Sequence, residues 1–146
     1  MKRLSSILLL MMIVFAVNAQ KSEIFCTDQG AINGYDPVAF FTMHKPVQGK
    51  RDVSYTWKNA EWHFASADNK KAFIANPLKY APQYGGYCAY GTAQGHKAPT
   101  LPETWTITNN MLYFNYNMDI KKQWSSDQKA FIQKADKNWP TVKDSE

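Results

Sequence analysis

The residues best suited to chemistry lie between positions 80 and 91, where tyrosines and glycines surround a cysteine. Gly85 and Gly86 permit backbone angles and close approaches that a side chain would prevent, and they place Cys88 near Tyr84 and further tyrosines. One interpretation is a thiol presented at the mouth of an aromatic pocket. The other is a tight turn whose rings build the core and whose cysteine is buried or bridged.

A metal site needs several nitrogen, oxygen or sulfur donors that converge. The sequence has three histidines and two cysteines, and none are paired in a Cys-x-x-Cys or His-x-His spacing. Cys88 offers a soft thiolate donor, and His63 is the best positioned histidine because it falls in a predicted strand beside Trp62. Cys88 and His63 are therefore the candidate metal ligands.

Cys88 is also the candidate nucleophile of a thiol-dependent enzyme, which needs a base and an orienting group beside its thiol. A histidine and Asp36 could complete that arrangement, although no local catalytic signature accompanies them. Asp36 has a simpler role as a helix cap. Paired carboxylates, a phosphate-binding glycine loop and a nucleotide-binding fingerprint are absent from the sequence.

The helices that must position these residues begin at clear capping signals. Asp36 followed by Pro37 predicts a helix start, and Ser66 predicts a second helix over 67–75. Asn76 and the proline after it end that second helix. Its predicted apolar face consists of Ala67, Phe73 and Ile74.

The remaining elements are predicted to be hairpins and C-terminal helices. Strands at 53–57 and 61–64 form one hairpin, and strands at 104–107 and 111–114 form another. Two helices follow, near 118–124 and 127–138, and Trp139-Pro140 ends the second. The predicted fold class is α+β, a single compact domain of antiparallel β-hairpins packed with short helices.

The N-terminus has the pattern of a secretory signal peptide. Lys2 and Arg3 precede an apolar run over 7–17, and small residues stand at both recognition positions of Val17-Asn18-Ala19. We expect cleavage before Gln20, a signal peptide at 1–19, and a periplasmic or secreted domain at 20–146. No later apolar stretch reaches spanning length, so no transmembrane segment is expected after cleavage.

The net charge limits the classes of binding partner to expect, and the cysteine content limits the possible disulfides. Cleavage removes two basic residues from a chain of formal net charge +5, and the other lysines are scattered, so no nucleic-acid partner is expected. An exported protein can keep disulfides. Two possibilities remain open for the cysteines. One is a disulfide between Cys26 and Cys88, which would close a loop of about 60 residues, and the other is a pair of free thiols.

Three stretches together resemble the YHS-domain family, in particular its small exported members of unassigned biochemical role. They are GYDPVAFF at 34–41, WHFASADNKKAFIANPLKYAPQYGGYCAYG at 62–91, and TWTITNNMLYFNYN at 104–117. The resemblance covers nearly all of the chain after the signal peptide. It implies a compact α+β unit related to metal-handling modules that occur near heavy-metal transport and resistance proteins.

The resemblance also implies a site. The metal-handling branch of the family has cysteines in a Phe-Cys-Ser-x-x-Cys arrangement, and here Ala65 and Asn69 stand at the two cysteine positions. The residues that carry over, expected to converge on one pocket, are Asp36, Ser66, Asn69, Tyr84 and Cys88. The implied function is an exported module that binds copper, another transition-metal ion, or a small molecule. The alternatives are a thiol-dependent enzyme using Cys88 and a disulfide-stabilised structural or interaction domain.

Overall fold

The computed structural model describes residues 22–146. The signal peptide at 1–19 and its cleavage before Gln20 lie outside the described residues. Within 22–146, no helix combines the length and the apolar character needed to cross a bilayer.

The domain alternates short strands and helices, which confirms the predicted α+β class. Each of its three sheets is a pair of antiparallel strands. The strands are β1 (Cys26–Thr27), β2 (Gly30–Ala31), β3 (Lys50–Trp57), β4 (Ala60–Phe64), β5 (Thr106–Thr108) and β6 (Met111–Tyr113). The α-helices are α1 (Pro37–Thr42), α2 (Ala67–Ala75), α3 (Pro77–Tyr80), α4 (Ala89–Ala93), α5 (Met118–Ser125) and α6 (Gln128–Val142).

Both predicted hairpins are present, and each turns on two residues with positive φ. Lys58 and Asn59 have φ of 50° and 58° between β3 and β4, and Asn109 and Asn110 have φ of 50° and 60° between β5 and β6. Two left-handed residues in a row match the twist of the flanking strands. Ala60 therefore belongs to β4, paired with Trp57, rather than to the turn.

Both predicted helix starts are confirmed, but the predicted apolar face of α2 is wrong in part. Phe73 is fully buried, whereas Ala67 is exposed and Ile74 is 44 % exposed. Phe73 is the buried residue of α2, so a single large ring anchors this nine-residue helix against the β3–β4 hairpin. Phe73 packs with its centroid 5.1 to 6.5 Å from the rings of Tyr55, Trp57, Trp62 and Phe64.

Two aromatic clusters make up the core of the described domain. The first surrounds Phe73 and extends through Phe40, whose ring meets Phe114 edge-on at 5.2 Å. The second contains Tyr84, Tyr113 and Trp124, and it lies beneath α6. The second cluster includes Tyr84, a residue singled out from the sequence, and it underlies the candidate site.

Helix α6 does not end at Trp139-Pro140 as predicted, but continues through Pro140 to Val142. Proline lacks one backbone N–H, and this close to the helix end it costs only one hydrogen bond of the ladder. The Lys143 N–H donates to the Trp139 carbonyl at 2.9 Å, which keeps the last turn closed. The Trp139 ring packs against Tyr84, with the ring centroids 5.9 Å apart.

Candidate functional site

The tyrosine-and-glycine segment forms a left-handed turn that supports the N-terminal arm. Tyr84, Gly85 and Gly86 have φ of 56°, 62° and 86° in succession. Positive φ is uncommon for a residue with a side chain, and such strain concentrates at functional positions. The Gly85 carbonyl accepts a hydrogen bond from the Phe25 N–H at 2.8 Å, so the turn and the arm are joined directly.

The turn aims the Tyr84 side chain at helix α6. Its ring is 4 % exposed and packs 5.9 Å from the rings of Tyr113 and Trp139. Its hydroxyl donates to Asp136 Oδ1 at 2.8 Å. Burial, reinforced by the Asp136 carboxylate, raises the pKa of Tyr84 well above its ordinary range, so the phenol stays a neutral donor.

A cleft of about 260 Å³ opens beside this pair. One wall comes from the β3–β4 turn and the N-terminal arm, the floor from the segment around Tyr84, and the opposite wall from α6. Apolar and aromatic surface with a few polar groups is typical of small-molecule sites. The cleft is lined by Glu23, Ile24, Trp57, Lys58, Leu78, Ala81, Pro82, Gln83, Tyr84, Gly85, Asp136, Trp139 and Pro140.

Acidic side chains outnumber basic ones in the lining of the cleft. At the rim, the Lys58 ammonium bonds Glu23 at 2.6 Å and lies 5.1 Å from the centre of the Trp57 ring. Asp136 forms no ion pair with a lysine or arginine among residues 22–146. The cleft therefore has one carboxylate in excess.

Cys88 does not border this cleft. It is 2 % exposed and caps the start of α4, where its sulfur accepts the Gly91 N–H at 3.3 Å and lies 3.6 Å from Asn115 Oδ1. Burial raises the pKa of the thiol, and backbone N–H groups of Gly91, Tyr116 and Tyr90 oppose that rise only in part. A buried thiol that ionises with difficulty makes a poor nucleophile.

Both cysteines of the described domain are free, with Cys26 exposed and Cys88 buried. At neutral pH we expect iodoacetamide to label the exposed Cys26 in the folded protein, though more slowly than an ordinary thiol because partial burial raises its pKa. Cys88 should be labelled only as fast as the domain opens, and both should be labelled quickly in denaturant. Burial raises the pKa of Cys88 in the closed domain, so the closed form offers little thiolate and labelling at this position follows opening. Intact mass over time measures both rates, and the Cys26→Ser variant isolates Cys88. Prompt single labelling of folded Cys26→Ser protein, or a native mass that shows a bridge, would contradict this arrangement.

Three of the predicted site residues lie together, but their role is structural. We call this group, which connects α1 to α2, the clamp: Asp36, Ser66 and Asn69. Asp36 is fully buried, and its carboxylate accepts the Asn69 side-chain N–H at 2.7 Å and the Ala65 N–H at 2.8 Å while also capping α1. Ser66 caps α2 by accepting the Asn69 N–H at 3.1 Å. Since these polar groups are occupied by one another, they fasten α1 to α2.

His63 lies in a third place, in strand β4. It is 2 % exposed, and its Nε2 is 2.6 Å from Glu61 Oε1. Residues 22–146 contain no cluster of three or more His, Cys, Asp or Glu side chains able to hold a metal. The donor set therefore does not fit a copper site built on Cys88 and His63.

Of the residues that line the cleft, sequence reasoning singles out only Tyr84 as a site residue; among those it misses, Trp57, Trp139 and Asp136 matter most for binding. The sequence places Trp57 only in a strand and Trp139 only at a helix end. Asp136 lies 52 residues from Tyr84 and has no neighbour in the sequence that marks it. A buried Tyr hydroxyl almost always finds a hydrogen-bond partner, but neither the burial of Tyr84 nor the identity of its partner is visible in the sequence.

No model of a known protein family matches the chain, and the curated proteins and the solved structures give no match either. The resemblance to the YHS-domain family thus depends on the residues at 34–41, 62–91 and 104–117 themselves.

Proposed function

We propose that the chain is an exported, YHS-type module that binds a small organic molecule in the cleft between Trp57 and Trp139. The observation that carries the proposal is the buried Tyr84, held in a strained backbone conformation and hydrogen-bonded to Asp136 at the cleft wall. A site on which rings and an oriented carboxylate converge, next to local strain, has the features of a binding site.

The size and lining of the cleft support a compact ligand. Its volume of about 260 Å³ lies just below the range of about 300–1,000 Å³ typical of small-molecule sites, so only a small ligand fits. Trp57, Trp139 and Leu78 supply apolar surface, and Leu78 is 74 % exposed. Covering such a side chain favours binding, because apolar surface leaves water when a ligand arrives.

The other functions considered from the sequence have less support. Cys88 is buried with a raised pKa, which does not favour a thiol-dependent enzyme. Cys88 and His63 have separate hydrogen-bond partners, which does not favour copper. Export after cleavage before Gln20 is part of the proposal and is supported by the residues at 1–19.

Three planar probes of different charge test the proposal: benzyl alcohol, benzylamine and benzoate, each at millimolar concentration. The five tryptophan indole N–H signals in a ¹⁵N-correlated NMR spectrum provide the reading and its internal control. We expect at least one probe to shift the signals of Trp57 and Trp139, while those of Trp62, Trp105 and Trp124 stay in place.

The variant Trp139→Ala should weaken that binding severalfold, since it removes one aromatic wall. Trp105→Ala is the matched control because Trp105 does not line the cleft. The proposal fails if none of the three probes shifts Trp57 or Trp139, or if Trp105→Ala weakens binding as much as Trp139→Ala does.

A further inference from the structure

We propose that the ligand of this cleft is an organic cation, an ammonium group on a compact apolar body, held between the Asp136 carboxylate and the tryptophan faces. This inference depends on the proposed function and adds the chemical class of the ligand.

The first support is the unmatched negative charge. Glu23 at the rim is already paired with Lys58, but Asp136 pairs with no lysine or arginine of the described chain. Asp136 is exposed at the cleft, so a ligand can reach its carboxylate, and the negative charge there attracts a cation. An anion would meet that uncompensated charge and be repelled.

The second support is the way Asp136 is held. The Tyr84 hydroxyl donates to Oδ1, and the phenol is buried and fixed by rings on two sides. The carboxylate is therefore oriented before any ligand arrives, and Oδ2 remains available to a donor. Preorganisation of this kind lowers the entropic cost of binding.

The third support is a cation that the protein already binds in the same manner. The Lys58 ammonium lies over Trp57 at 5.1 Å and bonds the Glu23 carboxylate at 2.6 Å. Tryptophan is the aromatic side chain that attracts cations best, and ammonium ligands are often recognised through such rings. Across the cleft, Trp139 and Asp136 offer the same combination of ring and carboxylate with no lysine on it.

Three molecules of nearly one shape test the charge alone: choline, its neutral carbon isostere 3,3-dimethylbutan-1-ol, and the anion 3,3-dimethylbutanoate. Affinities come from titrating the mature protein and following the Trp57 and Trp139 indole signals. We expect choline to bind about tenfold more tightly than the neutral isostere, and the anion to bind most weakly.

The variant Asp136→Asn should remove the preference for choline over the neutral isostere, because asparagine carries no charge but still accepts the Tyr84 hydroxyl hydrogen bond. Asp119→Asn makes the same change of charge on α5, away from the cleft lining, and should keep the full preference.

The possible results separate the two proposals. Any of three results overturns the inference: equal affinity for the three molecules, tighter binding of the anion, or a choline preference that survives Asp136→Asn. If benzyl alcohol shifts Trp57 and Trp139 but choline does not bind, the cation class is wrong and the small-molecule function stands. If no probe of either series binds, both are wrong.

Discussion

Replacing Asp36 with alanine is expected to lower the free energy of unfolding by about 4 kcal/mol, a large share of the stability of a typical domain. The carboxylate is fully buried and accepts four hydrogen bonds, from the N–H groups of Val38, Ala39 and Ala65 and from the Asn69 side chain. Alanine would leave all four donors without this acceptor inside the protein. Urea denaturation followed by tryptophan fluorescence measures the loss, which corresponds to a midpoint about 15 °C lower on heating.

Asp36→Asn and Asp68→Ala are the controls for this prediction. Asparagine keeps one oxygen for the α1 cap but turns an NH₂ group toward the donors of Ala65 and Asn69, so an intermediate loss is expected. Asp68 is exposed in the first turn of α2, and its removal should cost less than about 1 kcal/mol. A loss for Asp36→Ala no larger than that for Asp68→Ala would show that the clamp between α1 and α2 is not an important source of stability.

The clamp shows which parts of the fold the sequence could predict. Asp36 before Pro37, Ser66 before α2, and the asparagine turns of both hairpins act within a few residues of themselves. Such signals depend on the satisfaction of nearby backbone groups, so they can be interpreted without knowledge of the tertiary structure. The exposure of Ile74 depends instead on which elements pack over α2, and the sequence pattern gave the wrong face.

The candidate site was harder to predict because it is made of contacts distant in the sequence. Tyr84 and Cys88 are four residues apart, yet the structure sends the phenol to Asp136 on α6 and the thiol to Asn115 beside β6. The spacing of the two residues in the sequence does not determine these directions. The left-handed turn does, and it packs directly against the backbone of the N-terminal arm.

Asp36 and Asn69 illustrate the opposite case, in which residues expected in one place do meet but have a different role. Their side chains lie 2.7 Å apart, as a pocket would require. Each oxygen of Asp36 is already hydrogen-bonded within the protein, so the same contact stabilises the fold and leaves little for a ligand. Proximity therefore identifies a binding site only where polar groups stay unmatched, as at Asp136.

Gly85→Ala is the second substitution with a large expected effect, and it connects the fold to the cleft. A methyl group at Gly85 would overlap the Glu23 carbonyl oxygen and lie 3.3 Å from the Ile24 Cα, and the φ of 62° is itself unfavourable for alanine. The neighbouring atoms are backbone, so the N-terminal arm must move and the Phe25 hydrogen bond to Gly85 is lost. We expect a loss of at least about 3 kcal/mol in the free energy of unfolding and a changed Trp57 indole signal.

Gly95→Ala separates the crowding at Gly85 from the cost of its backbone angle. Gly95 also has positive φ, at 92°, but a methyl group there would meet no atom within 4 Å. Its replacement should therefore cost only the conformational strain, about 1–2 kcal/mol, and leave the Trp57 signal in place. The two denaturation curves, recorded side by side, measure the difference. If both variants lost the same stability, the close approach of the arm to the turn would have no energetic weight, and the rim that Glu23 and Lys58 form beside the cleft would not depend on it.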